Sequence, residues 1–269
     1  FPEHPLGREV LGIPEVITSV TVPEIRSFFE QHYRPGNVVF AAAGDVDHDQ
    51  LAEAVEARFA GRPAGNPPAR QAPGGELVSL DVTERDSEQA HLVFGVRGPD
   101  RRAPERFALA CLNHSLGGGL SSRLFQKIRE ERGLAYSIVS DRSAYADAGT
   151  LAVSVGTAPE RAEEVLGLVV AELDELARHG VSDAELKLAK GHLRADMVLS
   201  LEESGSRMSR IGASQLLHGE VLSVEELLAR IEAVTLEEVN GLAGSLLSSR
   251  RVLAVVGPFA TADFAGAVS

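Results

Sequence analysis

Apolar side chains recur along this chain with two periods, near 3.6 and near 2, and the switches between them mark its elements. Thr21-Val-Pro-Glu24 reads as a capping box with an early proline, opening a helix that carries Ile25, Phe28 and Phe29 on one face. Pro35-Gly36 stops it. Asn37–Ala43 is a continuous apolar run closed by Gly44-Asp45, which predicts a buried strand. A helix follows over Asp49–Phe59, with Leu51, Val55 and Phe59 four apart. Residues 61–75 hold four prolines and four glycines with almost no large apolar side chain, and read as a linker.

Beyond the linker the pattern predicts strands at Leu77–Val82 and His91–Val96, then a helix over Pro104–Leu116. Strands Leu134–Ala144 and Thr150–Gly156 flank Asp147-Ala148-Gly149, a hairpin turn. Pro159–His179 keeps a 3.6 period through Ala162, Val165, Leu166, Val169, Val170, Leu173 and Leu176, and Gly180 closes it. Capping boxes at Ser182…Glu185, Ser223…Glu226 and Thr235…Glu238 open three more helices, another covers Ser204–Leu217, and Val252–Val256 is the last strand. Helices and strands in this mixture predict an α+β fold, a mostly antiparallel sheet covered by helices on one side.

An internal repeat sets the domain reading. Thr21-Val-Pro-Glu-Ile…Phe28, then Val38-Val-Phe-Ala-Ala closing at Gly44, matches Thr235-Leu-Glu-Glu-Val…Leu242, then Val252-Leu-Ala-Val-Val closing at Gly257. The second copy ends a complete domain over 76–260, with 261–269 as a tail. Residues 1–60 then read as the C-terminal part of a homologous, truncated first repeat, so the chain reads as a fragment.

The whole is organised around Leu116–Tyr136, LGGGLSSRLFQKIREERGLAY. Gly117, Gly118 and Gly119 give a backbone free to take positive φ and to lie close against another backbone. Ser121 or Ser122 is placed to cap the helix that follows, Leu124, Phe125 and Ile128 to be buried, and Arg123, Lys127 and Glu130 to stay wet. Gly133 ends that helix, and Leu134 begins a strand. Arg129 in the last turn and Tyr136 seven residues on can meet across the turn.

Composition narrows the functions. Hydrophobic residues make up 44% of the 269 positions and charged ones 24%, which is ordinary for a globular protein with ample core. The formal charge of −13 argues against nucleic acid or an anionic membrane as partner; it suits basic partner segments, or solubility alone. No apolar run is long enough to span a bilayer, and the opening FPEHPLG is not a signal peptide. The single cysteine, Cys111, lies in an apolar helical run and reads as a small core residue. No Gly-x-Ser-x-Gly elbow, P-loop or dinucleotide fingerprint is present. The eight histidines are scattered, with no two four apart, and each reads as a surface or capping residue. His48 among Asp45, Asp47 and Asp49 is either a cation site or a solvated turn and N-cap.

Gly117–Gly119, Ser121-Ser-Arg-Leu-Phe125, Arg129-Glu-Glu-Arg-Gly-Leu-Ala-Tyr136 and His4-Pro-Leu-Gly-Arg8 together resemble the second, non-metal domain of the pitrilysin/insulinase family of zinc metallopeptidases. The likeness is to the branch with the mitochondrial and bacterial processing peptidases, and extends over nearly the whole chain. It implies the processing-peptidase-like fold and a clamshell in which a His-x-x-Glu-His helix binds zinc. That motif is absent here, and in the family the HPLG segment follows it. No cofactor is therefore expected in this chain; the resemblance places zinc in an N-terminal part or on a metal-bearing partner subunit, as a homo- or heterodimer.

The resemblance further implies that Tyr136 donates to the oxyanion forming on the scissile carbonyl while Arg129 holds the substrate backbone; both groups are strong donors. Residue chemistry leaves another reading open, with Arg129 paired to Glu130 or Glu131 and Tyr136 half-buried in a sheet. Gly117, Gly118 and Gly119 are a substrate-contacting loop or a tight helix–strand corner. The expected function is the substrate-binding, cavity-closing half of a zinc endopeptidase acting on peptides, without activity alone. The alternative is a scaffold subunit like the core subunits of the respiratory bc1 complex. The expected setting is soluble, with the bacterial cytoplasm favoured and the compartment otherwise unassigned.

Overall fold

The computed structural model describes residues 1–66, 69–74 and 77–267. Its helices are α1 (Pro14–Ser19), α2 (Val22–His32), α3 (His48–Phe59), α4 (Arg106–Leu116), α5 (Ala162–His179), α6 (Asp183–Ser200), α7 (Ser204–His218), α8 (Val224–Ala233) and α9 (Leu236–Leu247). Its strands are β1 (Leu80–Glu84), β2 (Ala90–Gly98), β3 (Ser137–Ala144), β4 (Gly149–Thr157) and β5 (Arg251–Gly257). Two compact units emerge. One holds Phe1, Glu3–Gly74 and Met197–Ser223; the other holds Pro2 and the described residues of Gly75–Asp196 and Val224–Ser269.

The second unit contains the sheet, in the order β1-β5-β2-β4-β3. Only β1 and β5 run parallel; every other pair is antiparallel. Along β2, Ala90, Leu92, Phe94 and Val96 are buried while His91 and Val93 are exposed, the alternation of a sheet with one covered face. Phe94 sits opposite Val153 of β4 and Leu253 of β5, so three strands bring inward side chains to one point. α4, α5 and α9 supply Leu112, Leu116, Val165, Val169, Val239 and Leu247 to the same core. The expected α+β fold, with its mostly antiparallel sheet and one helical layer, is what forms.

The capping boxes at Thr21 and Thr235 both close. Glu24 and Glu238 each accept from the backbone N–H of their threonine at 2.8 Å. The strands that should follow differ. β5 pairs with two neighbours, but Asn37–Ala43 is neither a strand nor buried, and Phe40 is exposed. A strand needs a partner for its backbone groups, and among the described residues of the first unit no strand lies beside this run. The expected buried strand is thus corrected to an extended, half-exposed segment. No described residue of this first unit is buried, and Ile25, Phe28 and Phe29 of α2 keep their apolar face open.

Pro67, Pro68, Gly75 and Glu76, within the stretch read as a linker and its boundary, lie outside the described residues. Described residues of that stretch hydrogen-bond back to their own unit: Ala64 O accepts from Gly36 N–H at 2.6 Å, and Gln71 O bonds His4 Nε2 at 2.8 Å. His4 also accepts from Leu6 N–H, acting as the cap of the Pro5–Gly7 turn. No helix among the described residues is long and apolar enough to cross a membrane.

Candidate functional site

The glycine run joins the end of α4 to the edge of the sheet. Asn113 O accepts from both Gly117 and Gly118 N–H, at 3.1 and 2.9 Å, which closes the helix. Gly117 O then accepts from Ser140 N–H at 3.0 Å, and the Ser140 hydroxyl donates to Asn113 O at 3.0 Å. A Cβ on Gly117 would lie 2.7 Å from Ser140 N, and one on Gly119 would lie 2.7 Å from the His114 ring. None of the three has positive φ. Their expected freedom to take positive φ is corrected: these positions need glycine because of what lies against them.

After the run, Ser122 N–H donates to Gly119 O, but neither serine hydroxyl caps the helix. Ser122 Oγ is instead buried without a partner. Phe125–Glu130 winds as a π-helix, with Glu131 N–H reaching Gln126 O at 2.9 Å. Such wide turns recur at functional sites. Leu124 and Ile128 are fully buried and Phe125 partly so. Gly133, at φ 63°, ends the helix in the left-handed region, where glycine costs least. The strand starts later than expected, at Ser137, because Leu134 N–H is drawn back to Ile128 O.

Arg123, expected to stay wet, is largely covered and ion-paired, whereas Lys127 is ion-paired yet exposed as expected. Arg123 forks onto Glu185, with Nη2 2.9 Å from Oε2, and donates also to Gly180 O at 3.1 Å. Glu185 in turn accepts from Ser182 N–H and its hydroxyl, each at 2.8 Å, so one carboxylate caps α6 and anchors the RLF helix. The Arg123 hydrogen bond, offset in part by burial, pulls the Glu185 carboxyl down to about 2. Lys127 pairs with Glu172 of α5.

Arg129 and Tyr136 are left free by this scaffold. The Arg129 guanidinium lies over the Phe125 ring, 4.9 Å from its centroid, and pairs with neither Glu130 nor Glu131. Tyr136 is 78% exposed; its backbone N–H donates to Gly156 O while the phenol makes no hydrogen bond. No hydrogen bond joins Arg129 to Tyr136. Gly117 docks on the outer edge of β3 at Ser140, four residues after Tyr136 and roughly 13 Å along an extended strand, while the Tyr136 N–H faces β4.

Two histidines that look isolated in sequence meet in the fold. His114 is only 6% exposed, and its ring stacks on that of His192 with centroids 4.2 Å apart. The surface-or-cap reading is corrected for His114, whereas His192 is exposed as expected; a separation of 78 positions carries no local signal of their stack. Burial, then the nearby His192, holds the His114 imidazole below its ordinary value. Cys111 is buried as expected, and burial pushes its thiol up to about 11, far from a nucleophile's range. Among the described residues no three His, Cys, Asp or Glu side chains are placed to share a metal ion.

Residues 19–193 match the model of the peptidase M16 inactive domain. An uncharacterised zinc protease of Mycobacterium tuberculosis is 44% identical over 263 residues, covering 96% of this chain and 60% of the relative. One from Bacillus subtilis is 34% identical, covering 96% and 63%. The chain thus spans about three-fifths of the length of these relatives. A crystal structure of a peptidase M16 inactive domain from Pseudomonas fluorescens superposes with TM-score 0.86 at 27% identity, covering 97% of this chain and 63% of that one. A chain of complex III2 from Candida albicans shares the fold alone, with TM-score 0.83 at 22% identity, over 98% and 66%. By sequence and by fold, the chain belongs to the peptidase M16 family and carries its inactive domain.

Proposed function

We propose that this chain is the substrate-binding half of a zinc endopeptidase that closes over peptides, and that it is inactive alone. Inactive domains of this family work with a partner domain or subunit. Here that partner supplies the metal, either from a homologous segment of the same polypeptide or from a second subunit. Residues 1–60 then correspond to the end of that homologous domain, and the open apolar face of α2 is surface for it to cover.

The observation that carries the reading is the freedom of Tyr136. The neighbouring cations Arg123 and Lys127 are spent on ion pairs, and the backbone is fixed on both sides. Yet the phenol and the Arg129 guanidinium face solvent with no partner of opposite charge. A phenol O–H held ready is suited to an oxyanion, and a guanidinium to substrate carbonyls, where such donors act in a closed cavity. An extended peptide of about four residues would reach from Tyr136 to the glycine run.

The same fold in a complex III chain supports a second reading, a scaffold subunit without turnover. The two separate on Tyr136→Phe in the assembled protein. The peptidase reading expects kcat to fall on the order of 10–1000-fold with KM little changed. Unchanged kcat returns Tyr136 to a surface role.

A further inference from the structure

The segment that carries Tyr136 is gripped at two points by the end of β4. Gly156 O accepts from Tyr136 N–H at 2.9 Å, and the hydroxyl of Thr157, the next residue, donates to Leu134 O at 2.6 Å. Ala135 lies between those two points and is buried, as is Ile138 beyond them. Tyr136 and Ser137 are both exposed, so the in-and-out alternation of a strand slips by one residue here. The register gives the reason. Gly156 stands opposite Ser137 and also holds Tyr136, two residues against one, which makes a bulge at the start of β3. Bulges re-aim the side chains they carry, and this one turns the phenol out of the covered layer. Glycine at 156 leaves the room, since a Cβ there would lie 2.8 Å from Ser137 Oγ.

Thr157 is polar where its surroundings are not. It is 2% exposed and stands opposite Ala90 of β2, in the buried layer. Valine has nearly the same shape and brings no polar group that must be satisfied there. The threonine hydroxyl is spent on the Leu134 carbonyl, two residues before Tyr136. Leu134 is fastened from its other side as well, its N–H donating to Ile128 O at 3.0 Å, and Gly133 N–H reaches Arg129 O at 3.2 Å. One short turn thus joins the helix of Arg129 to the phenol, and Thr157 ties that turn to the sheet.

We propose that Thr157 is a positioning residue for Tyr136: its buried hydroxyl, with the bulge over Gly156, holds the phenol in a fixed place outside the covered layer. This rests on the reading of Tyr136 as the oxyanion donor. A donor stabilises a developing oxyanion only if it is already in place, and a misplacement of about 1 Å can cost on the order of 100-fold in rate. The phenol has no hydrogen bond of its own to hold it. Its position is inherited from the backbone that Thr157 secures.

Two measurements on Thr157→Val and Thr157→Ser in the assembled protein test this. In amide hydrogen exchange, Tyr136 N–H should lose protection about tenfold or more in Thr157→Val and keep it in Thr157→Ser, while the amides of β2 hold theirs. Unchanged protection of Tyr136 in Thr157→Val overturns the proposal. In peptide turnover, Thr157→Val should lower kcat about 10–100-fold with KM within about twofold, and Thr157→Ser should restore it. That effect should vanish in a Tyr136→Phe background, where no hydroxyl is left to position. An equal fall in both backgrounds marks a general structural role and overturns the proposal. If Tyr136→Phe alone leaves kcat unchanged, the oxyanion reading fails, and exchange at the Tyr136 amide then decides by itself whether Thr157 holds that residue.

Discussion

Arg123 and Glu185, sixty-two positions apart, form a two-pronged ion pair that ties the RLF helix to the start of α6. Glu185 is at once the arginine's partner and the cap of Ser182, so losing the arginine strands a partly buried carboxylate. Arg123→Met should destabilise the second unit by about 2–3 kcal/mol in urea denaturation. Arg123→Lys should not restore it, because an ammonium cannot reach Glu185 and the Gly180 carbonyl in the same fork.

The same pair predicts acid sensitivity. Glu185 has its carboxyl lowered to about 2 from an ordinary 4.5, so its stabilisation is complete above about 4.5 and lost as pH falls toward 2. Urea midpoints measured from pH 6 to pH 2.5 should drop across that window. In Arg123→Met that drop should shrink, since the arginine is the first cause of the shift; an equal drop in both would assign the acid sensitivity elsewhere.

Gly117 is placed against the Ser140 backbone, not in a left-handed conformation. Gly117→Ala should therefore cost about 1–3 kcal/mol by overpacking and loosen the hydrogen bond from Ser140 N–H to Gly117 O. Gly133, with positive φ and open space for a side chain, should tolerate Asn far better than Val. Thermal melts of the three variants check the contrast.

Cys111 gives a probe of opening. With its thiol buried and pushed up to about 11, alkylation at pH 8 should proceed no faster than the unfolding of the core. Prompt labelling of the folded protein would contradict its place in that core.

Much of this architecture is written locally. The alternation along β2, the 3.6 period of α5 and the threonine capping boxes each depend on residues close in sequence, and each appears within a few positions of where the pattern puts it. What eluded local reasoning depends on distant partners. Asn37–Ala43 has the composition of a strand, but pairing is decided by a neighbour the pattern does not contain. Arg123 looks like a solvent-facing charge until Glu185 arrives. His114 and His192 meet only because α4 and α6 pack. Family likeness singled out Arg129, Tyr136 and the glycine run; residue chemistry alone pointed to a paired arginine and a half-buried tyrosine.

The proposed role is that of a half that completes a peptidase without turnover of its own. The direct measurement is turnover of a quenched fluorescent peptide, with zinc supplied, by this chain alone and by the assembled protein. No turnover above blank is expected for the chain, and chelator-sensitive turnover for the assembly. Turnover by the chain alone, or none by the assembly, would contradict it.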